Sequence, residues 1–360
     1  MKIKNVYFEI FSMQNLYQAY LEARRGRRYK PEVLKFGYDI WESLRALREE
    51  VLSGEYEIEE YFKFYIHEPK ERLIMSIAFR HRVVQWAIYL VVNPLLVNGY
   101  IKDSYGCIPG RGPLKAMKRL SGWLEHVSRK EGRWFYLKLD ISKYFYRIPH
   151  EALEEVLRKK IKDERLTKVL TSIINCEHTP FGLPAGKSPG DEMIFETGMP
   201  IGNLLSQMFA NVYLNELDQY CKRTISIKHY IRYMDDIIIL ADDKAKLHEW
   251  QMAIKIFLKE KLMLDLNEKT CIRPINQGIE FIGYRLWPNR VCLRKSTTLG
   301  MKRGLKGVMA KYREKEMTLE RATQTFRSYI GLLKHTDSDA FMAALHQRMI
   351  LSHEGGREYG

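Results

Sequence analysis

Apolar residues recur early in the chain at the spacing of one helix face: Leu16, Tyr20 and Ala23, then, past a basic break over residues 24 to 30, Val33, Phe36, Ile40 and Leu44. The period then changes. Residues 61 to 66 (YFKFYI) alternate and are rich in aromatics, which predicts a strand; a charged turn, HEPKER, and a second short strand, LIMSI, complete a hairpin with a basic tip. A buried helix through residues 83 to 92 is expected to end near Pro94, because proline disfavours helix at the residue before it. The glycines and prolines of SYGCIPGRGP, residues 104 to 113, predict a loop, with a helix following over about residues 114 to 127.

FYLKLDI (135 to 141) has the composition of a buried strand and closes on an aspartate. Helical spacing returns between His150 and Asn175, no periodicity organises residues 177 to 199, and a further helix is expected over about 203 to 223. HYIRY (229 to 233) and IIILA (237 to 241) are two strands separated by Met234, Asp235 and Asp236, which is hairpin spacing. A helix over 243 to 261, short strands around 270 to 293 and a basic helical region from Met301 to about Met349 follow, with no internal repeat or low-complexity tract.

At 360 residues, 46% hydrophobic and 29% charged, the chain can build a sizeable core shared by two or three subdomains. The 59 Lys and Arg against 44 Asp and Glu leave a net charge of +15, which suits a polyanionic partner as well as mere solubility. Five scattered cysteines without a CxxC pair argue against a disulfide framework and a zinc site, and fit a reducing cytoplasm. The most apolar stretch, 83 to 97, is interrupted by Gln85, Asn93 and Pro94 and falls short of the roughly 18 residues of a spanning helix, so no membrane partner is expected.

The chemistry concentrates in Tyr233-Met234-Asp235-Asp236. A hairpin turn can hold two carboxylates in solvent while its strands anchor them, and adjacent anions make sense where divalent cations sit between them. A bare Asp pair is far more often a polar turn. What changes the balance is a second acidic strand end, Asp140, placed so that three carboxylates can converge. Two metal ions roughly 3.5 to 4 Å apart would suit phosphoryl transfer at such a site. Asp242 and Asp243 lie past the second strand, where a helix needs an N-cap.

Seven segments in order resemble the motifs of reverse transcriptases: RLIMSIAFRHRVVQ the first finger motif, SYGCIPGRGP the loop after it, LKLDISKYF palm motif A, GMPIGNLLSQMFANVYL motif B, YMDD motif C, LDLNEKT motif D and FIGYRLWP the primer grip. The resemblance covers nearly the whole chain. It implies an α/β right-hand polymerase fold: fingers over 1–132, an antiparallel palm sheet with helices over 133–290 carrying an insertion at about 151–199, a helical thumb over 291–349, and a tail.

It also implies roles. Asp140, Asp235 and Asp236, with the Ile141 carbonyl, would ligate two magnesium ions, with manganese able to substitute. Lys70 and Arg72 would contact the incoming deoxynucleoside triphosphate, arginine as a planar fork and lysine as a point charge. Phe145 would lie beneath the sugar and exclude a 2'-hydroxyl, although core packing is the commoner task of such a ring. Ile201, Gly202 and Gln207 would border the nucleotide, Lys269 would protonate the departing pyrophosphate, and Arg111, Tyr233, Met234, Phe281, Gly283 and Tyr284 would touch primer or template. For Lys70, Arg72 and Lys269 the plainer alternative is a solvated surface charge.

Motif B departs from the common pattern. Many relatives have Gln-Gly followed by Ser-Pro, whereas here Ile201-Gly202 is followed by Ser206-Gln207. This form resembles the enzymes of diversity-generating retroelements and of antiphage-defence groups, and the apolar Ile201 implies reduced fidelity. The resemblance further implies RNA template, primer and cDNA as partners, a small basic accessory protein, and other proteins to supply ribonuclease H, maturase or endonuclease activities. A template-independent transferase would share the metal ligands, and a non-catalytic nucleic-acid-binding protein would not need them.

Overall fold

The computed structural model describes residues 2–67, 71–184, 186–187, 190–339 and 341–343. In chain order the elements are α1 (Tyr7–Ile10), α2 (Met13–Ala23), α3 (Pro31–Tyr38), α4 (Ile40–Ser53), β1 (Phe62–Ile66), β2 (Arg72–Ser76), α5 (Phe79–Val97), β3 (Ser104–Tyr105), α6 (Pro113–Ser128), β4 (Phe135–Asp140) and α7 (Tyr144–Arg147). Then come α8 (His150–Lys160), α9 (Glu164–Ile174), α10 (Leu204–Gln219) running into a π-helical turn (Tyr220–Thr224), β5 (His229–Tyr233), β6 (Asp236–Ala241) and α11 (Lys244–Leu262). The chain closes with β7 (Cys271–Pro274), β8 (Ile279–Phe281), β9 (Tyr284–Trp287), β10 (Arg290–Leu293), α12 (Lys295–Arg313) and α13 (Leu319–Leu333). This is an α/β fold, and it divides into two compact units, residues 1–112, 138–238 and 248–270 in one, and 113–137, 239–247 and the residues from 271 on in the other.

In the first unit the strands stand in the order β3-β5-β6-β4, with β3 parallel to β5 and Tyr105 opposite Tyr233. Helix α5 packs on α2 and α10. Its Val83, Val84, Ala87, Ile88 and Val92 are wholly buried, and so are Val212, Tyr213, Leu214 and Leu217 of α10. Burial of such side chains is worth roughly 1.5–3 kcal/mol each. The helix expected to end near Pro94 continues to Val97. Pro94 removes one donor, but it lies on the exposed side, while Val92 and Leu96 keep the helix in the core.

Capping follows the local chemistry. Asp39 accepts from the Glu42 N–H at 3.1 Å and starts α4, and Gly54 ends it in the left-handed region at φ 86°. The Asp243 carboxylate accepts from the Ala245 N–H at 2.7 Å, so it caps α11 as expected. Asp163 does two jobs: one oxygen caps α9 through Leu166 N–H at 3.2 Å, and the other accepts from Val6 and Tyr7 N–H at 2.8 and 3.0 Å. The start of the chain is tied down next to it, because Ile3 N–H donates to the Lys160 carbonyl and Lys162 N–H to the Ile3 carbonyl, both at 2.8 Å.

The polar centre of this unit is an ion pair with both side chains fully buried. Arg232 on β5 donates to the two Asp218 oxygens at 2.6 and 2.7 Å, to Ser104 Oγ at 2.8 Å, to Asn211 Oδ1 at 3.2 Å and to the Met234 carbonyl at 3.0 Å. Those five bonds use all five guanidinium donors. Burial works against the charge, yet the Asp218 carboxylate outweighs it and holds the guanidinium above its ordinary pKa. Tyr230 donates to the same carboxylate at 2.8 Å.

In the second unit α6 packs on β9, and β8, β9 and β10 form an antiparallel meander. The turn from β8 to β9 has positive φ at both Ile282 (44°) and Gly283 (88°), the geometry that matches hairpin twist. Met301, Leu305, Val308 and Tyr312 of α12 close a small core with Ala322, Phe326 and Leu333 of α13.

Replacing Asp218 by Ala strands the Arg232 charge in the core, and we expect a loss of about 3–5 kcal/mol in unfolding free energy. Urea denaturation of the wild type and variant measures it; an unchanged midpoint would remove the pair from its central place.

Candidate active site

Strands β5 and β6 supply an apolar base, with Ile231, Ile237 and Ile238 wholly buried, and their connection is only Met234 and Asp235. Met234 takes φ +52°, unusual for a residue with a long side chain. Two bonds hold it there: its N–H donates to the Tyr105 carbonyl at 3.1 Å, and its carbonyl accepts from Arg232. Gly106 makes the approach possible, since a Cβ on it would meet Met234 Cγ at 2.9 Å and its own φ is +87°. Asn211 donates to the Gly106 carbonyl at 3.0 Å and closes the circuit back to Arg232.

Asp140 ends β4. Its carbonyl accepts from Asn267 N–H at 2.7 Å, Ser142 N–H donates to the Asp265 carbonyl at 2.9 Å, and Ile141, 2% exposed, bridges Leu266. The segment that carries Lys269 is thereby fastened beside Asp140. Lys269 itself is exposed, and its N–H is held by Asn267 Oδ1 at 3.1 Å.

The three aspartates converge electrostatically. Burial raises the Asp235 carboxyl above the usual range, a backbone N–H lowers it, and Asp140 pushes it up again while Arg72 and Arg232 pull it down. Asp236 is pushed up to about 6, first by burial; Lys138 opposes that shift, and Asp235 and Asp140 reinforce it. Arg72 at the start of β2 is therefore within electrostatic reach of the Asp235 carboxylate. Lys70 falls outside the described residues.

Lys138 was not anticipated. Its ammonium donates to Asp236 Oδ2 at 3.3 Å and stands 3.2 Å from Oδ1, an oxygen that is buried and makes no hydrogen bond. Parity could have found it, because residues two apart in a strand share a face and Lys138 precedes Asp140 by two. Arg232, Asp218 and Asn211 carried no comparable signal, since they meet only in the folded chain.

Motif B approaches from above β2. Met75 N–H donates to the Ile201 carbonyl at 3.1 Å, Asn203 Nδ2 donates to the Met75 carbonyl at 2.8 Å, and Gly202, at φ +105°, has Ile74 Cγ2 at 3.1 Å from where its Cβ would be. Met199 N–H donates to the Phe145 carbonyl at 2.7 Å, which ties this loop to α7, and the Phe145 ring is only partly buried, edge-on to Tyr144. Gln207 lines a cavity of about 180 Å³ with Arg82, Gln85, Trp86, Gly202, Asn203 and Leu204.

The remaining residues expected at the site have the following surroundings. Arg111 donates to the Ile101 carbonyl at 2.7 Å, Tyr233 is half-buried, and Met234 is 9% exposed against Gly106. Phe281, Gly283 and Tyr284 belong to the second unit, where Phe281 pairs with Tyr284 and both rings are buried.

Hard carboxylate oxygens, one of them buried without a hydrogen bond, are the donor chemistry of a divalent ion such as magnesium. Among the described residues no group of three or more His, Cys, Asp or Glu forms a ready-made cage. Magnesium does not need one, since it is usually held by one or two carboxylates plus substrate phosphates and water. No helix among the described residues is long and apolar enough to cross a membrane.

Comparison with known proteins places these residues in a family. The family described as "Reverse transcriptase (RNA-dependent DNA polymerase)" matches residues 67–286, which include Asp140, Asp235 and Asp236. Protein YkfC of Escherichia coli (strain K12) is 28% identical over 278 residues, covering 68% of this chain and 71% of that protein. The group II intron-encoded protein LtrA of Lactococcus lactis subsp. cremoris is 21% identical over 336 residues, covering 74% of this chain and about half, 53%, of its own length. Among solved structures, apo telomerase from Candida Tropicalis aligns at 13% identity with a TM-score of 0.49, over 81% of this chain and 62% of that one.

The Asp236 carboxyl loses protons at higher pH folded than unfolded, so its contribution to stability is complete below about pH 4 and is lost as pH rises through about 6. We therefore expect Asp236→Asn to stabilise the chelator-treated protein at pH 7 by about 1–3 kcal/mol and to make no difference at pH 4. Urea titrations at both pH values check it; a variant less stable at pH 7 would contradict the electrostatic reading.

Proposed function

The chain belongs to the reverse transcriptase (RNA-dependent DNA polymerase) family, and from that premise we propose that it extends a DNA primer on an RNA template through the site built by Asp140, Asp235 and Asp236. The observation that carries this reading is that Asp140 and Asp235 both act on the buried Asp236 carboxyl and Asp140 acts on Asp235, with Lys138 opposing at Asp236 and Arg72 at Asp235.

Asp140, Asp235 and Asp236, with the Ile141 carbonyl, would hold two magnesium ions. When bound, these would activate the primer 3'-hydroxyl and neutralise the charge of the triphosphate and its leaving pyrophosphate. The protein's own part is positioning. Arg72 offers a fork for phosphate oxygens, the Arg232 network fixes the turn bearing Asp235, and the partly buried Phe145 ring offers an edge against which a 2'-hydroxyl would clash. The fastened Asn267–Thr270 turn carries the exposed Lys269, which would donate a proton to a leaving oxygen.

Motif B supports the finer reading. Ile201 presents no side-chain donor or acceptor to a base pair, so the enzyme would copy with reduced fidelity, as a diversity-generating retroelement requires. An antiphage-defence enzyme would share this chemistry and differ in its RNA and protein partners.

Primer extension on RNA with deoxynucleotides and magnesium should fall by about 10²–10³-fold or more in Asp235→Asn/Asp236→Asn, the scale expected for lost transition-state stabilisation. Equal extension by both proteins would end the reading. Phe145→Ala should raise ribonucleotide incorporation, and Ile201→Gln should lower the misincorporation rate; single-nucleotide insertion assays report on each separately.

A further inference from the structure

Lys138 is spent on a residue that the proposed reaction needs elsewhere. Its ammonium bonds Asp236 Oδ2 at 3.3 Å and lies 3.2 Å from Oδ1, with the two side chains 24% and 25% exposed. An ion pair sheltered to this degree is screened less than a surface pair. Strand parity puts Lys138 on the same face of β4 as Asp140, so the backbone directs its side chain to the side on which that aspartate stands. The neighbouring carboxylates explain why a cation there is useful, since three anions gathered at partly buried strand ends repel one another.

We propose that Lys138 is the resident counter-ion of Asp236, holding that carboxylate in place in the metal-free protein and competing with a divalent ion for its oxygens. The inference rests on the metal-site reading of the three aspartates and adds a residue to it. An ammonium and a divalent cation cannot both sit within contact distance of one carboxylate without repelling each other. Lys138 therefore sets the concentration at which the site loads, and it acts as a positioning residue that touches neither primer nor nucleotide. Arginine would serve the same electrostatic purpose, whereas methionine keeps the length of the side chain and removes the charge.

The test is Mn2+ binding to the full chain, followed by electron paramagnetic resonance in the absence of nucleic acid and nucleotide. We expect Lys138→Met to bind Mn2+ about tenfold more tightly than wild type and Lys138→Arg to match wild type, and Lys138→Met to give no gain in an Asp236→Asn background. Melting in chelator should drop for Lys138→Met, and added Mn2+ should raise its Tm by more than it raises that of wild type. A purely structural lysine would lower the melting temperature without tightening binding. Unchanged or weaker Mn2+ affinity in Lys138→Met, with binding still lost in Asp140→Asn and Asp235→Asn, overturns the proposal and leaves the metal site standing. Mn2+ binding insensitive to all three aspartates overturns both.

Discussion

A guanidinium removed from water is stable only if every donor finds an acceptor, and that requirement organises the centre of this protein. Arg232 meets it by drawing Asp218 and Asn211 from α10, Ser104 from β3 and the Met234 carbonyl from the turn into one set of bonds. A charge held this way cannot shift without breaking several contacts together. The turn that carries Asp235 is thus positioned by the same bonds that join helix to sheet, and the precision of the site is a by-product of satisfying one buried cation. Gly106 and Tyr105 complete the constraint from the β3 side.

Around that node the chain tolerates local conflict. Met234 sits at positive φ, Asp235 and Asp236 lie side by side in partial burial, and an oxygen of Asp236 goes without a hydrogen bond. Each is unfavourable taken alone. Together they make the geometry of a site whose ligands arrive with the opposite charge, and the apolar strands beneath offset the strain.

Much of this was legible in the sequence where periodicity speaks. The β5–β6 hairpin, the helical opening, the Asp243 cap and the strand ending at Asp140 all follow from spacing and turn chemistry, and the α/β class follows from their sum. Pro94 misled because a local rule met a buried helix: the ring faces outward, and the apolar residues on either side decide the matter. The segment around residues 177 to 199 showed no period because its order comes from isolated bridges, Gly182 to Ile194 and Pro149 to Thr197, which leave no repeating pattern to read. Arg232 and Asp218 were invisible as a pair, since 14 positions separate them and a charged residue in a strand ordinarily faces water. Lys138 was in plain view and required only the step from the spacing of one aspartate to its neighbour two positions back.

The docking of the first few residues against the end of α8 and the Asp163 cap reaches beyond static stability. Ile3, Val6 and Tyr7 find their partners at Lys160, Lys162 and Asp163. On a ribosome adding 5–20 residues each second, roughly 8–30 s separate the emergence of the two halves of that contact. During this interval the Ile3, Val6 and Tyr7 N–H groups lack the partners that hold them in the folded chain. The seam between residue 3 and residue 161 can nevertheless close before the contacts of this unit that wait for residues made later, among them Arg232 with Asp218 and Asn267 with Asp140, so the ends of this early seam are joined before the central polar network can form.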